Sequence, residues 1–492
     1  MKNTILVGGL DIGTSGCKIV LYDADGNFVR DAYAAYDVSR IGGMHEMDAK
    51  EIFRAVKQVI KAADCRNAAA IAVTSFGETF ALLDEDDNVL LPSMLYTDPR
   101  GSEECAILCD KLGEAHFMHT AGVKPHPMYS LPKLMWVKRS RPGIWAKVRR
   151  VTLIEDFIVY KLTGIAQIDY SLAARTMALD IRKKCWAEDI FAAADIDCSL
   201  LSEPVPTGSV AGRIKPELGL GEITIVSCCH DQVAAAVGAG ILSPGTAVDG
   251  TGTVECVTPM FDHVPEHPAL YDEGYSVVPY VFDGTYVCYA LSFTGGAVLK
   301  WFRDNLAAKY AGVDNIYAAL DADASADPTG LLVLPHFAGA ANPYMDNGSK
   351  AAILGLTLEH TSADIYKALM EGVTYEIMMN IEHLGSAGII PEKLYATGGG
   401  ANSPVWLQIK ADILNRPVTA LAAKEAGACG MCMMVCTALG IYPDLAAAKA
   451  AFVKEKQTYL PDEAKAAAYR KYYAAYRRIY DAVRPIIEEA SK

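Results

Sequence analysis

The sequence predicts a two-domain α/β protein in which each half carries a mixed sheet and both halves face one cleft. Three observations predict it. The chain has 492 residues, too many for a single hydrophobic core. Short aliphatic or β-branched runs alternate with amphipathic helical stretches, the pattern of α/β folds. A Gly/Thr-rich hairpin near the N-terminus also returns as a near copy about halfway along.

Composition narrows the function classes. Hydrophobic residues make up 51% and charged residues 21%, ordinary for a globular chain. The net charge of -14 argues against nucleic acid or an anionic membrane as partner, since both require a basic face. An anionic substrate must then be held by local donors. Residues 1–10 carry one lysine and a short apolar run that meets Asp11 at once, which is no signal peptide. No later run approaches the ~18 apolar residues of a spanning helix, so a cytoplasmic protein is expected. Thirteen cysteines without regular spacing read as free thiols in a reducing compartment. The cluster Cys429, Cys432 and Cys436 contains a CxxC. It lies in a small-residue, Met-rich run without a second CxxC or a histidine partner, and reads as a buried helix rather than a metal site.

The opening element is residues 10–18, LDIGTSGCK, between apolar runs at 4–7 and 19–22 that read as strands. Gly13 and Gly16 allow an anion to approach main-chain N–H groups. Thr14, Ser15 and Lys18 add donors, and Asp11 stands where it could hold a metal ion. A plain hairpin turn is the alternative at this point. A third strand is expected at 28–34, after the turn Asp23 to Gly26. An amphipathic helix follows at 48–65, opened by a capping box of Asp48 and Glu51. Residues 69–74 form a buried strand ending at Ser75-Phe76-Gly77-Glu78, and residues past such strand ends are where α/β sheets place ligands. Tyr96-Thr97-Asp98-Pro99-Arg100 either faces a polar ligand or closes a loop by an ion pair. A periodic helix is expected at 151–162, with Asp169-Tyr170-Ser171 and Arg175 in the loop after it.

Residues 223–227 form a strand with His230-Asp231-Gln232 at its end, followed by an Ala/Gly-rich helix. Asp231 is placed as a general base or as an N-cap. His230 is read as positional, because adjacent side chains rarely point at each other. Ser243-Pro244-Gly245 marks the domain boundary, giving halves 1–243 and 244–492. TAVDGTGTVECV at 246–257 then repeats the opening hairpin, with Asp249, Gly250, Thr251, Gly252 and Thr253 in the turn. Strands follow at 275–281 and 286–291, and Thr294-Gly295-Gly296 opens a helix at 297–306. Ser362 caps a long helix to about 384. The strand 394–397 runs into Gly398-Gly399-Gly400-Ala401-Asn402-Ser403-Pro404 and a helix from 405, a glycine turn suited to a nucleotide phosphate or ribose. The tyrosines of the last helix, 463–478, read as packing residues with solvated basic neighbours.

There is no GxxxxGK[ST] loop, and Gly13 and Gly16 precede a strand rather than a helix, which excludes the Rossmann fingerprint. GxSxG and HExxH are absent. Taken together, DIGTSGCK, DGTGTVE, MYSLPKLMWV at 128–137, AAILGL at 351–356 with Asp364-Ile365 and residues 368–371, and GGGANSPVWLQIKADI resemble the elements of the FGGY family of carbohydrate kinases, in order and nearly end to end.

The resemblance implies two RNase H-like (actin-like) domains with a central cleft, and ATP-dependent phosphorylation of a sugar or polyol hydroxyl with Mg²⁺. It implies Asp231 as catalytic base and Asp11 near the magnesium. Thr14, Ser15 and Lys18 with Gly250, Thr251 and Gly252 would surround the phosphates. Gly295, Gly296, Gly399, Gly400 and Ser403 would line the nucleotide side. The expected sugar contacts are Gly77, Glu78, Tyr96, Asp98, Asp231 and Gln232. Residues 128–162 and the tyrosine helix look most like xylulose and gluconate kinases, whereas Glu78 followed by threonine is similar to glycerol kinases. A ketose such as xylulose is expected, with a polyol or gluconate as alternatives. Gluconate is disfavoured by like-charge repulsion from Glu78. An actin-like ATP-binding protein without sugar kinase activity is the alternative of another class. Kinases of this type are often dimers, so a homodimer is expected.

Overall fold

The computed structural model describes residues 5–422 and 425–491; Thr4, the first residue of the expected opening strand, lies outside them. Two mixed sheets carry the fold. The first contains β1 (Leu6–Ile12), β2 (Gly16–Asp23), β3 (Phe28–Ala35), β4 (Ala68–Ser75), β5 (Ser209–Arg213) and β6 (Thr224–His230), in the order β5-β6-β4-β1-β2-β3. β1, β4 and β6 are mutually parallel, while β2, β3 and β5 run against their neighbours. Helix α1 (Ala49–Ala62) buries Ile52, Val56, Val59 and Ile60 against this sheet. Its cap departs from expectation. Asp48 accepts the Lys50 N–H at 2.8 Å, but Glu51 turns outward to Arg54 instead of closing a capping box. The helix expected at 151–162 begins later, as α2 (Ile154–Thr163), because the β-branched stretch Arg150–Leu153 pairs as a strand with Phe80–Leu83. The segment after it is also ordered: Gln167–Asp169 is a strand and Tyr170–Ala173 a helical turn.

β6 leads directly into α3 (Asp231–Gly238). The second sheet then repeats the plan with β7 (Thr246–Thr251), β8 (Glu255–Phe261), β9 (Val277–Pro279), β10 (Tyr286–Cys288), β11 (Ala290–Ser292), β12 (Lys393–Gly398), β13 (Val418–Leu421) and β14 (Glu455–Tyr459). Its order is β9-β10-β8-β7-β12-β13-β14, with β11 also pairing β8. In each sheet a hairpin strand pairs in parallel with a later strand, β1 with β4 and β7 with β12. Helices α4 (Gly296–Leu306), α5 (Ser362–Ser386) and α6 (Pro404–Leu414) pack in the second half. Thr361, not Ser362, caps α5, in a reciprocal box with Asp364. In α8 (Glu463–Tyr476) the buried tyrosines reach acids of α5: Tyr469 bonds Glu371 at 3.0 Å and Tyr473 bonds Glu382 at 2.6 Å.

Between α6 and α8 in sequence, α7 (Ala426–Ala438) crosses to the first half and lies on β1 and α3. The approach is backbone to backbone. A Cβ on Gly238 would stand 1.8 Å from the Ala426 carbonyl oxygen, and one on Gly430 2.1 Å from that of Ala234. In the cysteine cluster of α7, Cys432 faces the Val7 carbonyl and Cys429 that of Phe452, and burial pushes the Cys429 thiol up to about 12.

Candidate active site

The parallel register of β1, β4 and β6 sets one edge of the site. Ile12 stands opposite Ser75, and Ser75 opposite His230, so three segments leave the sheet along one line: Gly13–Ser15, Phe76–Glu78 and Asp231. The opening hairpin is tighter than expected. Asp11 already pairs across from Lys18, and only Gly13, Thr14 and Ser15 remain in the turn. The Gly13 N–H donates to the Gly16 carbonyl at 2.9 Å, and the Tyr36 hydroxyl donates to the Gly13 carbonyl at 2.6 Å. Burial, then Asp231 and Glu425, push the Asp11 carboxyl up to about 7 against the pull of Lys18. Lys18, expected among the phosphate donors, is instead held by Glu425 at 2.7 Å and Asp31 at 3.1 Å.

At the end of β4 the Thr79 N–H turns back to the Gly77 carbonyl at 2.8 Å, and Glu78 is forced to φ +67, a left-handed conformation that costs a non-glycine residue on the order of 1–3 kcal/mol. That strain delivers a buried carboxylate to Arg175, whose Nε donates to Glu78 Oε1 at 2.6 Å. Gly77 makes the room: a Cβ there would stand 2.7 Å from Arg175 Cγ. The guanidinium lies 5.1 Å from the Tyr129 ring centroid and 5.9 Å from that of Tyr289. Sequence reasoning had left Arg175 in a loop without a partner. Its pairing removes the like-charge objection to an acidic sugar, because Glu78 and Arg175 together are neutral. Tyr96 is partly exposed beside Glu78 and Asp231; burial and those two acids raise its hydroxyl. Asp98, expected to face the sugar, closes its own loop. It accepts from Arg100 Nε at 2.7 Å and from the His45 N–H at 2.8 Å, and these bonds hold its carboxyl low against burial. The aromatic-acid-base corner is therefore an ion pair around a turn.

Asp231 is the first residue of α3, where the helix N-terminus favours a negative charge. His230, not Asp231, occupies the N-cap position. The two side chains meet: His230 Nδ1 lies 3.1 Å from Asp231 Oδ1, contrary to the expectation that neighbours in sequence point apart. Asp231 Oδ1 is buried, yet the side chain as a whole is 37% exposed, so Oδ2 is the oxygen open to solvent. The Gln232 N–H approaches His230 Nδ1 at 3.4 Å.

In the second half, Thr251 and Gly398 lie opposite each other, so the repeated hairpin and the glycine turn leave the sheet together. They line a cavity of about 840 Å³ with Gly252, Gly296, Gly399, Gly400 and Ser403. Gly250 and Gly295 lie behind that lining. Gly250 is inside β7 opposite Cys256, and the Gly295 N–H donates to the Thr253 carbonyl at 3.0 Å. The Gly296 N–H donates to the Gly252 carbonyl at 2.7 Å, fastening the start of α4 onto the hairpin. Ser403 caps α6 by accepting the Trp406 N–H at 3.1 Å and donates to Asp321 at 2.8 Å. Asp321, also bonded by Tyr366, lines the cavity and was missed in a helix with no motif. Asp249 does not repeat the setting of Asp11. Lys410 of α6 binds it at 2.5 Å, reaches Thr251 Oγ1 at 2.6 Å and stands 3.0 Å from Glu255. The two edges approach each other. Asp231 adds to the burial that pushes the thiol of Cys256, on β8, up to about 12, and the Tyr289 hydroxyl of the second half lies 3.3 Å from His230 Nδ1.

Comparison with known proteins agrees with this arrangement. Residues 6–238 match the N-terminal domain of the FGGY family of carbohydrate kinases, and residues 251–439 match its C-terminal domain. The chain is 25% identical over 490 residues to the xylulose kinase of Lactococcus lactis, covering 94% of each. It is 31% identical over 461 residues to the glycerol kinase of Halorhodospira halophila, covering 89% of each. The crystal structure of xylulose kinase from Rhodospirillum rubrum superposes with a TM-score of 0.88 at 26% identity, over 98% of this chain and 100% of that one.

Proposed function

The chain belongs to the FGGY family of carbohydrate kinases, phosphotransferases acting on a sugar hydroxyl, and on that premise we propose that it phosphorylates a ketose such as xylulose at the expense of ATP. The observation that carries the reading is Asp231. Its Oδ2 is open at the sheet edge shared with Asp11 and the Glu78–Arg175 pair, and the second half's glycine-lined cavity lies beyond. Asp231 Oδ2 takes the proton of the attacking hydroxyl as the oxygen meets the γ-phosphorus. Glu78, Arg175 and Tyr96 form the sugar side, with Glu78 accepting and Arg175 donating around the ring hydroxyls. The N–H groups and hydroxyls of Thr14 and Ser15 supply phosphate donors, whereas the Gly13 N–H is already given to Gly16 and the Thr251 hydroxyl is held between Asp249 and Lys410. The cavity at Gly399, Gly400 and Ser403 takes the nucleoside. We place the division between sugar-side and nucleotide-side halves near Ser243.

The residues present also fit a magnesium ion. Burial, then the charges of Asp231 and Glu425 opposed by Lys18, pushes the Asp11 carboxyl up to about 7, and among the described residues no group of three or more acids, histidines or cysteines stands close enough to hold a metal by itself. Magnesium commonly takes only one or two protein carboxylates together with substrate phosphates. When bound there it would neutralise charge on the phosphates, with Asp11 as its protein ligand. The free thiols of all thirteen cysteines support a reducing, cytoplasmic setting.

ADP release across ketoses, polyols and aldonates tests the reading, with the aldonates included because Glu78 is neutralised. A ketose is expected to give the highest kcat/KM. Asp231→Asn should keep nucleotide binding and lower sugar phosphorylation by on the order of 10²-fold or more. Unchanged turnover in that variant would remove Asp231 from the mechanism. If no sugar exceeds background ATP hydrolysis, an ATP-binding protein without kinase activity takes its place.

A further inference from the structure

We propose that Asp321 is a specificity-determining residue for the phosphate donor, its carboxylate accepting the 2′- and 3′-hydroxyls of the nucleotide ribose; the proposal rests on the reading of the glycine-lined cavity as the nucleoside site. Asp321 stands near the end of the helix Ile316–Asp323 and lines that cavity together with Tyr366 and Ser403. Two hydroxyls fix its orientation. Tyr366 of α5 donates to Oδ1 at 2.9 Å, and Ser403 donates to Oδ2 at 2.8 Å. Burial pushes the carboxyl up, while both bonds favour its ionised form, and no cation enters that balance. The side chain is only partly buried, so a charged acceptor is held still in the cavity wall with no neutralising partner among the described residues.

What such a group can bind follows from the acceptor sites it has left. A carboxylate oxygen accepts about two hydrogen bonds, and Asp321 has one filled on each. A phosphate is repelled there, whereas a neutral pair of O–H donors satisfies both oxygens; carboxylates take ribose hydroxyls in this way in dinucleotide sites of unrelated fold. Other polar side chains of the wall are already committed. Asn315 accepts the Ala318 N–H at 3.1 Å, Asn402 donates to the Gly399 carbonyl at 3.3 Å, and Lys300 pairs with Asp304 at 2.9 Å. Position points the same way. A Cβ on Gly400 would stand 2.6 Å from Thr251 Cγ2, so the glycine turn lies directly on the second hairpin. The Ser403 N–H donates back to the Gly400 carbonyl at 3.2 Å, which leaves Asp321 one side chain removed from the meeting of hairpin and turn. A nucleotide with its phosphates toward the hairpins then brings its ribose, the next group along, to Asp321. Leu299, Tyr317 and Val405 line the same cavity with apolar surface suited to the base.

The experiment measures kcat/KM for ATP, 2′-deoxy-ATP, 3′-deoxy-ATP and ITP with xylulose, and calorimetric binding of ADP and 2′-deoxy-ADP. The wild type, Asp321→Asn and Tyr366→Phe are compared. The wild type is expected to prefer ATP to each deoxynucleotide by about 10-fold or more, the worth of a hydrogen bond to a charged group. Asp321→Asn keeps the shape and removes the charge, so it should erase most of that preference while the KM for xylulose holds. Tyr366→Phe takes away one internal bond and leaves the charge, so the preference should persist. A wild-type preference below about threefold would overturn the proposal, as would one that survives Asp321→Asn. Equal weakening of ATP and both deoxynucleotides in Asp321→Asn and in Tyr366→Phe would also overturn it and make Asp321 a brace for its helix. A change confined to the ATP-to-ITP ratio in Asp321→Asn would put the carboxylate at the base amine and overturn it as well. If Asp321→Asn fails to fold, Asp321→Ser is read by the same ratios. Binding needs no sugar, so it stands apart from the choice of substrate and separates the two readings. A wild type that binds no ADP sinks the nucleoside reading of the cavity, whereas equal binding of ADP and 2′-deoxy-ADP sinks only the role of Asp321.

Discussion

The two hairpins share a sequence pattern and a backbone pairing, yet their aspartates serve different ends. Asp11 stands across from Lys18 in its ladder, but the lysine turns to Glu425 and Asp31, and Asp11 remains among acids with its carboxyl up at about 7. Asp249 is fully buried and clamped by Lys410, which also binds Thr251 in the turn above it. The first acid has no cation paired with it among the described residues, whereas the second is compensated within and holds the turn still. A duplicated motif therefore duplicates the backbone device and not the side-chain chemistry.

Removing the internal clamp should have the largest effect on stability. Lys410→Met would leave Asp249 and Glu255 buried without their cation, and breaking one partner of such a cluster costs roughly 3–5 kcal/mol. Urea unfolding measures it. A loss below about 1 kcal/mol would mean that Asp249 and Glu255 share a proton without needing the lysine, an outcome made conceivable by the Glu255 carboxyl, which burial and Asp249 push up to about 8.

A second contrast between the halves concerns acids away from the cleft. In the second half, Lys367–Glu371 at 3.3 Å and His336–Glu376 at 3.1 Å pair two buried acids with a cation and a histidine. The first half satisfies Asp156 with a hydroxyl, Ser202 Oγ at 2.6 Å, and burial pushes that carboxyl up to about 7. The native state then holds a proton that the unfolded chain has released between about pH 4 and pH 7, so Asp156 removes stability as pH rises through that window. Asp156→Asn keeps an acceptor for Ser202 and lacks the titration. Its stability relative to the wild type should therefore improve from pH 5 to pH 8, read from urea midpoints. A pH-independent difference would show that Asp156 titrates as if in water.

What the sequence made legible was local. Glycines in a turn, an acid at a strand end and three glycines before a helix are backbone signals within a few residues of one another, and the β1–β2 turn, Asp231 and Gly398–Gly400 all follow from them. What stayed hidden depends on partners far along the chain. Arg175 meets Glu78 across 97 residues, Ser403 meets Asp321 across 82 and Lys410 meets Asp249 across 161. No spacing rule announces such pairs. Short-range rules also misassign a side chain when a nearer or stronger partner exists. Glu51 takes Arg54 instead of the cap, and Asp98 takes Arg100 instead of a ligand.

The smallest expected effect lies at the first hairpin, and it completes the comparison. Lys18 is the sequence counterpart of a phosphate-binding cation, but its ammonium is spread between Asp31 and Glu425, with the three side chains 30%, 43% and 44% exposed. Pairs this open to water contribute about 0–1 kcal/mol, so Lys18→Met should shift the unfolding midpoint slightly, far less than Lys410→Met. Glu425 holds Lys18 away from the turn, so the KM for ATP should change by no more than about threefold, under 1 kcal/mol of binding. A loss of tenfold or more in ATP KM or kcat would show that Lys18 leaves Glu425 for the phosphates during turnover. The two hairpins would then differ in when their lysines act, not in whether they do.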